Sequence, residues 1–360
     1  MPGSYLQKVE ALCDHMVSVR KPEMKWMWGE ALFGYALFEL DAYRGRETYT
    51  PFLKGYCDYY TAHPPRVDCA DTAAPALITY AMQKKTGNPG YAALTGRVLN
   101  YIRGEPRIAG DAVNHLGRSR WGRFYPKSIW VDSLMMFSVF PALYARETGD
   151  KKLLNFAARQ PALYARYLQN PADGLWAHSY WFRMRKPHPS FGVYWARGNG
   201  WVTAALPMIL DCIGPAHPRR EEIRRLLERT AAALLPCQHP DGSFSTILGT
   251  DAYRELSATA LIAAGMLHGV RCGYLQEEFL APAVRAFRAV ADSIRMEESG
   301  VFLPEISAPT IPLPVFPALC YRLTPRGDNW PYGVAAAVFA AIEYDRMEKA
   351  KALNCFHSRA

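Results

Sequence analysis

The stretch WGEALFGYALF, residues 28–38, decides the fold of this chain. A polar landmark is followed at once by an apolar run of helical periodicity, which predicts a buried helix that begins near Ala31. Comparable landmarks recur about 40 to 75 residues apart, which is the length of a helical hairpin with its loops. They are Asp68, WVD (130–132), RGN (197–199), ELS (255–257) and WPY (330–332).

Six such units predict about twelve helices in six hairpins. By length alone, 360 residues suggest two domains. A closed ring of hairpins is one domain, however, and we assign residues 1–360 to it. The ring would gather the starts of the inner helices at one mouth, whereas an open α-solenoid would not explain polar landmarks at those starts. Few segments alternate with period two, so we predict an all-α fold with strands at 246–248 and 301–303 at most.

Composition narrows the classes of partner. Half of the residues are apolar, and the nine Trp and 21 Tyr exceed what a core needs, which favours a sugar-binding cleft. The formal charge of +9 is compatible with a nucleic acid or with an acidic substrate. Basic residues are scattered, and the densest cluster, at 219–225, interleaves acids as a solvated helix face does. We therefore expect a small acidic substrate and no nucleic-acid partner.

Sequence motifs for metals and cofactors do not occur. The eight cysteines are widely spaced without a CxxC pair, and HExxH, GxGxxG, P-loop and GxSxG patterns are missing. We expect no metal and no organic cofactor. The chain does not begin with a secretory pattern, and no apolar stretch reaches transmembrane length. A cytoplasmic monomer or homodimer that does not bind membranes is the expectation.

The segment YWARGNGW, residues 194–201, is the main candidate for substrate binding. It sets Arg197 between Trp195 and Trp201, with Asn199 between two glycines. Indoles offer flat faces for a sugar ring, and a planar guanidinium fits a carboxylate. We interpret the segment as a seat for an acidic carbohydrate. The alternative is a Gly-rich turn beside core tryptophans.

Two carboxylates are candidates for catalysis, as glycoside chemistry generally requires. Asp132 follows apolar residues and precedes a helix rich in Leu, Met and Phe. Burial there would raise its pKa, as a general acid working near neutral pH requires. A helix N-cap is the alternative role. Asp68 is the second candidate, because Asp71 is the better N-cap for the helix that follows.

His178 and Trp28 complete the candidate set. His178 lies in the aromatic segment GLWAHSYW, residues 174–181. There it could hydrogen-bond a sugar hydroxyl or a carboxylate, and a purely structural histidine is the alternative. Trp28, at the start of the first inner helix, is assigned to the substrate-binding surface.

Four motifs, in this order, resemble the unsaturated glucuronyl and rhamnogalacturonyl hydrolases of glycoside hydrolase families 105 and 88. They are WVDSL (130–134), GLWAH (174–178), WARGNGW (195–201) and ELSATA (255–260). The similarity is greatest to the rhamnogalacturonyl branch. It implies an (α/α)6 barrel of six helical hairpins that acts on oligosaccharides left by polysaccharide lyases. The non-reducing terminal uronate of these substrates carries a C4=C5 double bond.

The resemblance also implies roles for the candidate residues. Asp132 would protonate C4 of the enol ether and then accept a proton from the water that attacks C5. Asp68 would match the second aspartate, which orients water or ring hydroxyls. His178, Arg197 and Trp201 would line the subsite of the unsaturated sugar. In that subsite Arg197 would offset the uronate charge and Trp201 would stack on the ring, without any cofactor.

Departures from the family pattern concern the leaving-group sugar. Gly122 stands where related chains often carry histidine. Arg118, Arg120 and Arg123 add positive charge nearby, which would suit a second acidic or sulfated sugar. Two alternatives stay open on the same fold class. One is a sugar epimerase or an ordinary inverting hydrolase, and the other is a non-catalytic helical-repeat binding protein.

Overall fold

The computed structural model describes the backbone of residues 4–357 and the side chains of residues 4–350. Within this part of the chain, no helix is both long enough and apolar enough to cross a membrane. Thirteen α-helices make up most of the described structure. The helices are α1 Tyr5–Ser18, α2 Trp28–Arg44, α3 Thr50–Ala62, α4 Ala76–Thr86, α5 Pro89–Gly104, α6 Val139–Thr148, α7 Lys151–Leu168, α8 Ala196–Ile213, α9 Arg220–Leu234, α10 Leu256–Arg271, α11 Leu280–Ser293, α12 Pro317–Leu323 and α13 Pro331–His357.

Six of these helices form the inner ring of a barrel. Helices α2, α4, α6, α8, α10 and α13 each pack against the next one in chain order, and α13 packs back against α2. Helices α1, α3, α5, α7, α9 and α11 lie outside this ring and pack against it. The predicted all-α (α/α)6 barrel is confirmed, and closure of the ring rules out an open solenoid.

Glycines allow the inner helices to approach closely. A Cβ at Gly265 of α10 would lie 2.1 Å from the carbonyl oxygen of Thr203 in α8. A Cβ at Gly34 of α2 would lie 2.4 Å from Ile78 Cδ1 in α4. Any larger residue at these crossings would push neighbouring inner helices apart, because protein interiors are close-packed.

Strands are short, as predicted. Nine occur within the described residues: β1 Arg107–Ala109, β2 Ala112–Val113, β3 Ser128–Trp130, β4 Ser179–Trp181, β5 Lys186–His188, β6 Arg295–Glu297, β7 Gly300–Phe302, β8 Ile306–Ser307 and β9 Arg326–Gly327. The predicted strand at 301–303 overlaps β7, whereas 246–248 forms only an isolated bridge between Ile247 and Trp195. Strands β3, β4 and β5 form an antiparallel sheet at the open mouth of the barrel.

Neither Asp71 nor Asp132 is a helix N-cap. The prediction that Asp71 caps the following helix is wrong, because Asp71 lies inside a 3-10 turn, Ala70–Thr72. Asp132 lies one residue before Ser133, which occupies the N-cap position of the π-helical turn Leu134–Ser138. The capping alternative for Asp132 is therefore not supported.

The Pro-rich segment at 308–316 crosses the mouth without regular structure. The Tyr125 hydroxyl donates to the Pro312 carbonyl oxygen at 2.6 Å. His188 Nε2 lies 2.7 Å from the carbonyl oxygen of Leu313. These contacts attach the segment to the β3–β4–β5 sheet at the end of the barrel where the inner helices begin.

Candidate active site

Strand pairing brings Asp132 and His178 together. The Val131 amide donates to the His178 carbonyl oxygen at 2.9 Å, so the residues just after β3 lie beside those just before β4. His178 Nε2 lies 3.4 Å from Asp132 Oδ2. The His178 side chain is fully buried, whereas 12% of the Asp132 side chain is exposed. The carboxyl is thus the part of the pair that a ligand can reach.

Three aromatic residues hold the His178 ring. The Tyr321 hydroxyl lies 2.8 Å from Nδ1. Trp195 stacks on the ring with centroids 4.2 Å apart, and Trp130 meets it edge-on at 5.2 Å. Burial lowers the pKa of His178, so the ring is neutral near pH 7. When the Tyr321 hydroxyl donates to Nδ1, the ring proton lies on Nε2 and faces Asp132.

Asp132 is subject to opposing influences. Burial raises the pKa of this carboxyl, whereas the adjacent His178 ring and, to a smaller extent, His115 lower it. The lowering prevails, and the pKa of Asp132 falls below its usual value. The prediction of a raised pKa is therefore wrong. The apolar neighbours that bury Asp132 are visible in the sequence, whereas His178 and His115 come near it only in the folded chain.

Asp68 is the second predicted carboxylate, and its side chain is 13% exposed. It forms an ion pair with Arg66, whose Nε lies 2.8 Å from Oδ2. Its carbonyl oxygen accepts from the Arg118 amide at 2.7 Å. Among the described residues, no hydrogen bond or ion pair joins Asp68 to Asp132. The structure places Asp68 against the loop at 114–127 that leads into β3, not in contact with Asp132.

His115 is a buried histidine that sequence reasoning missed. Its Nδ1 lies 2.8 Å from Ser133 Oγ, and its Nε2 lies 3.3 Å from Asp71 Oδ1. Its ring stacks on Trp130 at 4.4 Å with an interplanar angle of 10°. No local motif marks His115, because its partners come from two other segments, one with Asp71 and one with Trp130 and Ser133. Its contacts also explain why Asp71 does not cap a helix.

Arg197 is surrounded by hydrogen-bond acceptors of the protein itself. Its side chain is fully buried and lies 3.6 Å from Glu255 Oε1. Its terminal nitrogens donate to the carbonyl oxygens of Ser307 and Ala308, each at 3.0 Å, and to Thr310 Oγ1 at 3.2 Å. The protein occupies the terminal donors of Arg197, whereas its buried Nε has no partner among the described residues. That Arg197 binds the uronate carboxylate stays a prediction. Arg197 ties the Pro-rich segment to the start of α8.

The rest of the segment at 194–201 forms a wall behind the site. Asn199 Oδ1 accepts from the Trp176 amide at 2.9 Å, and Nδ2 donates to the carbonyl oxygens of Trp176 and Trp195. Trp195 and Trp201 are 2% and 1% exposed. The indole Nε1 donors of Trp195 and Trp201 are buried without a partner among the described residues. The sugar contacts of these three residues stay predictions. Both tryptophans are buried, and the two glycines lie in α8 and not in a turn.

Trp28 is the partly exposed aromatic of the predicted set. Its ring lies 4.5 Å from Tyr332 and meets Trp201 edge-on at 5.9 Å. Glu30, in the same first turn of α2, is a carboxyl whose pKa is raised by burial. Sequence analysis did not single out Glu30, although an acid in the first turn of an inner helix was a usable signal.

A second polar region lies at the other end of the barrel. A cavity of about 270 Å³ there is lined by residues near the C-terminal ends of five inner helices, including Glu39, Asp211, His268 and Glu343. Among the described residues, Asp211, His268 and Cys272 are spaced closely enough to share a metal ion. His268 Nε2, however, already lies 2.8 Å from Asp211 Oδ2. This cavity is distant from Asp132 along the barrel axis.

Comparison with known protein families confirms the resemblance that the four motifs indicated. A model described as Glycosyl Hydrolase Family 88 matches residues 7–348. The chain is 26% identical over 343 residues to unsaturated rhamnogalacturonyl hydrolase YesR of Bacillus subtilis (strain 168), covering 93% of this chain and 95% of that one. A shorter match, 31% identical over 152 residues, joins it to an unsaturated 3S-rhamnoglycuronyl hydrolase of Alteromonas sp. (strain LOR), covering 41% and 37% of the two chains.

Solved structures share the fold. A possible member of the GH105 family from Klebsiella pneumoniae superposes with a TM-score of 0.85 at 23% identity, covering 97% of this chain and 94% of that one. A possible member of the same family from Salmonella enterica gives a TM-score of 0.84 at 24% identity, covering 96% and 93% of the two chains.

Proposed function

Because the chain belongs to Glycosyl Hydrolase Family 88, we propose that it hydrolyses the 4,5-unsaturated uronyl residue at the non-reducing end of lyase-generated oligosaccharides. Its relatives include an unsaturated rhamnogalacturonyl hydrolase and an unsaturated 3S-rhamnoglycuronyl hydrolase. The observation that carries the proposal is the Asp132 carboxyl, part-exposed and held by the buried His178. The same relatives favour this function over the three alternatives, which are a sugar epimerase, an ordinary inverting hydrolase and a non-catalytic binding protein.

The chemistry requires one proton donor that becomes a proton acceptor. Protonated Asp132 transfers its proton to C4, and the positive charge is shared between C5 and the ring oxygen. Water attacks C5 and gives its proton to the Asp132 carboxylate. The resulting hemiketal opens to a C5 ketone, and the hemiacetal left at C1 releases the neighbouring sugar. General acid–base transfer of this kind contributes about 10²- to 10⁴-fold to rate.

Substrate binding raises the pKa of Asp132 from the low value that it has in the free protein. A uronate carboxylate next to Asp132 disfavours its ionised form, because two like charges at close range repel. Burial acts in the same direction. His178 keeps the carboxyl oriented through Nε2. Asp68, paired with Arg66 at the edge of the site, orients water or ring hydroxyls.

The sugar subsite is bounded by aromatic rings. Trp28 offers its partly exposed face to the sugar ring. Trp195, Trp201 and Asn199 support that surface from behind, and Arg197 holds the Pro-rich segment across the mouth. A rigid wall of this kind lowers the conformational cost of holding a substrate in one orientation.

Unsaturated disaccharides from pectin, glycosaminoglycan and ulvan lyase digests test the function. The ultraviolet absorbance of the conjugated enol ether should fall on at least one of them, and mass spectrometry should find the free neighbouring sugar. Heat-inactivated protein is the control. An unchanged absorbance on every substrate would overturn the proposal.

We also propose one catalytic domain over residues 1–360, acting in the cytoplasm as a monomer or homodimer. The seven described cysteines are all free thiols, which is typical of a reducing compartment. Limited proteolysis tests the domain, because a single domain should yield no stable half-size fragment. Light scattering after gel filtration gives the oligomeric state, and fractionation of the source cells tests the compartment.

A further inference from the structure

The loop at 114–127 exposes a surface that we call the basic rim, consisting of Arg120, Trp121, Arg123 and Phe124. Trp121 and Phe124 are 69% and 82% exposed. Clustered exposed rings of this size mark interaction sites on soluble proteins. Arg120 and Arg123 are also exposed. Neither of them forms an ion pair with a carboxylate of the described residues.

The rim is anchored to the segment that carries Asp68. Gly117, with a φ of +49°, approaches so closely that a Cβ there would lie 2.1 Å from the Asp68 carbonyl oxygen. The Arg118 amide donates to that same oxygen at 2.7 Å. A Cβ at Gly122 would lie 2.5 Å from the Gly117 carbonyl oxygen. The turn that bears the rim is therefore packed onto the backbone of the second candidate carboxylate.

Two aromatic rings connect the rim with the Asp132–His178 pair. Tyr125, next to Phe124 in the chain, meets the Trp130 ring edge-on with centroids 5.5 Å apart. Trp130 in turn lies 5.2 Å from the His178 ring. Ring contacts thus connect the residue next to the rim with His178, and the turn at Gly117 connects the rim with the backbone of Asp68. A sugar attached to the unsaturated uronate would extend toward the rim.

Arginines that neighbour the rim are neutralised, whereas those of the rim are not. Arg66 pairs with Asp68 at 2.8 Å. Arg118 pairs with the buried carboxyl of Glu105 at 3.1 Å. The basic rim therefore retains two uncompensated positive charges beside two apolar rings. A ligand that matches this surface carries negative charge and a flat face.

We propose that the basic rim binds the sugar attached to the unsaturated uronate when that sugar carries a sulfate ester or a carboxylate. This inference rests on the proposed function, because the rim contacts the leaving-group side of the same substrate. Guanidinium groups bind the oxygens of both anions. Trp121 and Phe124 contact the apolar face of the sugar ring. Two exposed charge contacts together give a preference of about tenfold.

A pair of double variants tests the rim against a matched control. Arg120→Gln/Arg123→Gln removes both charges, and Arg97→Gln/Arg166→Gln removes two exposed charges from the outer helices α5 and α7. The measurement is kcat/KM on unsaturated disaccharides whose second sugar is sulfated, is a uronate, or is neutral. For each anionic substrate, kcat/KM is divided by its value for the neutral substrate. This ratio is then compared between the two double variants and the unmodified protein.

In the unmodified protein at least one anionic arm should exceed the neutral arm about tenfold, through a lower KM. The rim variant should lose that preference and the control should keep it. A neutral substrate that is hydrolysed equally well by the unmodified protein would overturn the inference. An equal loss in both double variants would overturn it too, because the effect would then reflect net charge alone.

Two further outcomes distinguish a failure of the inference about the rim from a failure of the proposed function. If Trp121→Ser/Phe124→Ser converts a dimer to a monomer and leaves the substrate ratio unchanged, the surface is an interface between copies and the inference fails. If no disaccharide is hydrolysed, the proposed function fails. Calorimetric binding of the sulfated disaccharide to the two arginine variants then decides the rim independently, and equal affinities would reject it.

Discussion

Two aspartate–histidine pairs lie at opposite ends of the barrel and differ in charge. At the open mouth, His178 Nε2 is 3.4 Å from Asp132 Oδ2, and burial lowers the pKa of His178. At the other end, His268 Nε2 is 2.8 Å from Asp211 Oδ2. Burial opposes the charge on His268 as well, but its hydrogen bonds to Asp211 and Cys272 raise its pKa to about 9.

Neighbouring groups account for the difference. His178 lies between the rings of Trp195 and Trp130, and the charge of Arg197 further disfavours its protonation. His268 is favoured in its charged form by Glu343 in addition to its hydrogen-bond partners. The same two residue types therefore form a structural ion pair at one end. At the other, a neutral histidine positions a carboxyl that can exchange a proton.

The largest expected effect separates the two aspartates. Asp132→Asn should lower kcat by about 1000-fold, because an amide cannot donate the proton that C4 needs. Asp211→Asn should keep kcat within about threefold while lowering the melting temperature, since it leaves His268 without its partner. Steady-state assays with circular dichroism of both variants check this. Activity in Asp132→Asn equal to that of the unmodified protein would refute the assigned role.

Arg197, paired with Glu255 at the mouth, should contribute more to stability than Arg271, which pairs with Glu343 at the other end. Arg197→Met should lower the free energy of unfolding by about 3–5 kcal/mol, because Glu255 would remain buried and unpaired. Arg271→Met should cost about 1–2 kcal/mol, since Arg271 is 28% exposed and Arg346 also pairs with Glu343.

Urea denaturation of both arginine variants measures this contrast. Adding Glu255→Gln to Arg197→Met should restore part of the loss, because it removes the unpaired charge. If Arg197→Met were as stable as the unmodified protein yet raised KM strongly, Arg197 would be a substrate ligand after all.

The two histidines should separate in kinetics. His178→Gln should lower kcat about 10- to 100-fold, the value of a hydrogen bond to a charged group. Tyr321→Phe should give a smaller loss, since only the ring orientation is weakened. His268→Gln should leave kcat unchanged. A pH profile of kcat for each variant checks this, and equal losses in His178→Gln and His268→Gln would contradict it.

The last expected contrast is the pH dependence of stability. Because the folded pKa of His268 is about 9 against 6.5 when unfolded, its stabilisation is complete below pH 6.5 and is lost as the pH rises through 9. The loss is on the order of 3 kcal/mol. His178 acts in the opposite direction, since its lowered pKa makes the unfolded chain bind the proton more readily, so stability falls below pH 6.5.

Chemical denaturation at several pH values tests both directions. His268→Gln should flatten the decline between pH 6.5 and 9, whereas Tyr35→Phe, a change in the same cavity, should retain it. An identical slope in the unmodified protein and in His268→Gln would contradict the assignment.

The ring of helices and the segments that form the site could be predicted from the sequence. The contacts of individual side chains could not. Asp132 and His178 were both singled out, and strand pairing joins them. The partners of Arg197 at 307–310 were not predicted, because they come from a distant segment. His115 was missed because its contacts to Asp71 and Ser133 exist only after folding.

The amino-acid sequence by itself determined the six inner helices, their order, and the set of polar residues at their starts. Helical periodicity is a local property, so each helix could be recognised from its own residues. Only the tertiary structure decided which of those polar residues face the site and which are buried, and which histidine stays neutral. Burial and pKa depend on groups that ring closure brings from distant parts of the chain. For that reason Trp28 remains accessible while Arg197 does not.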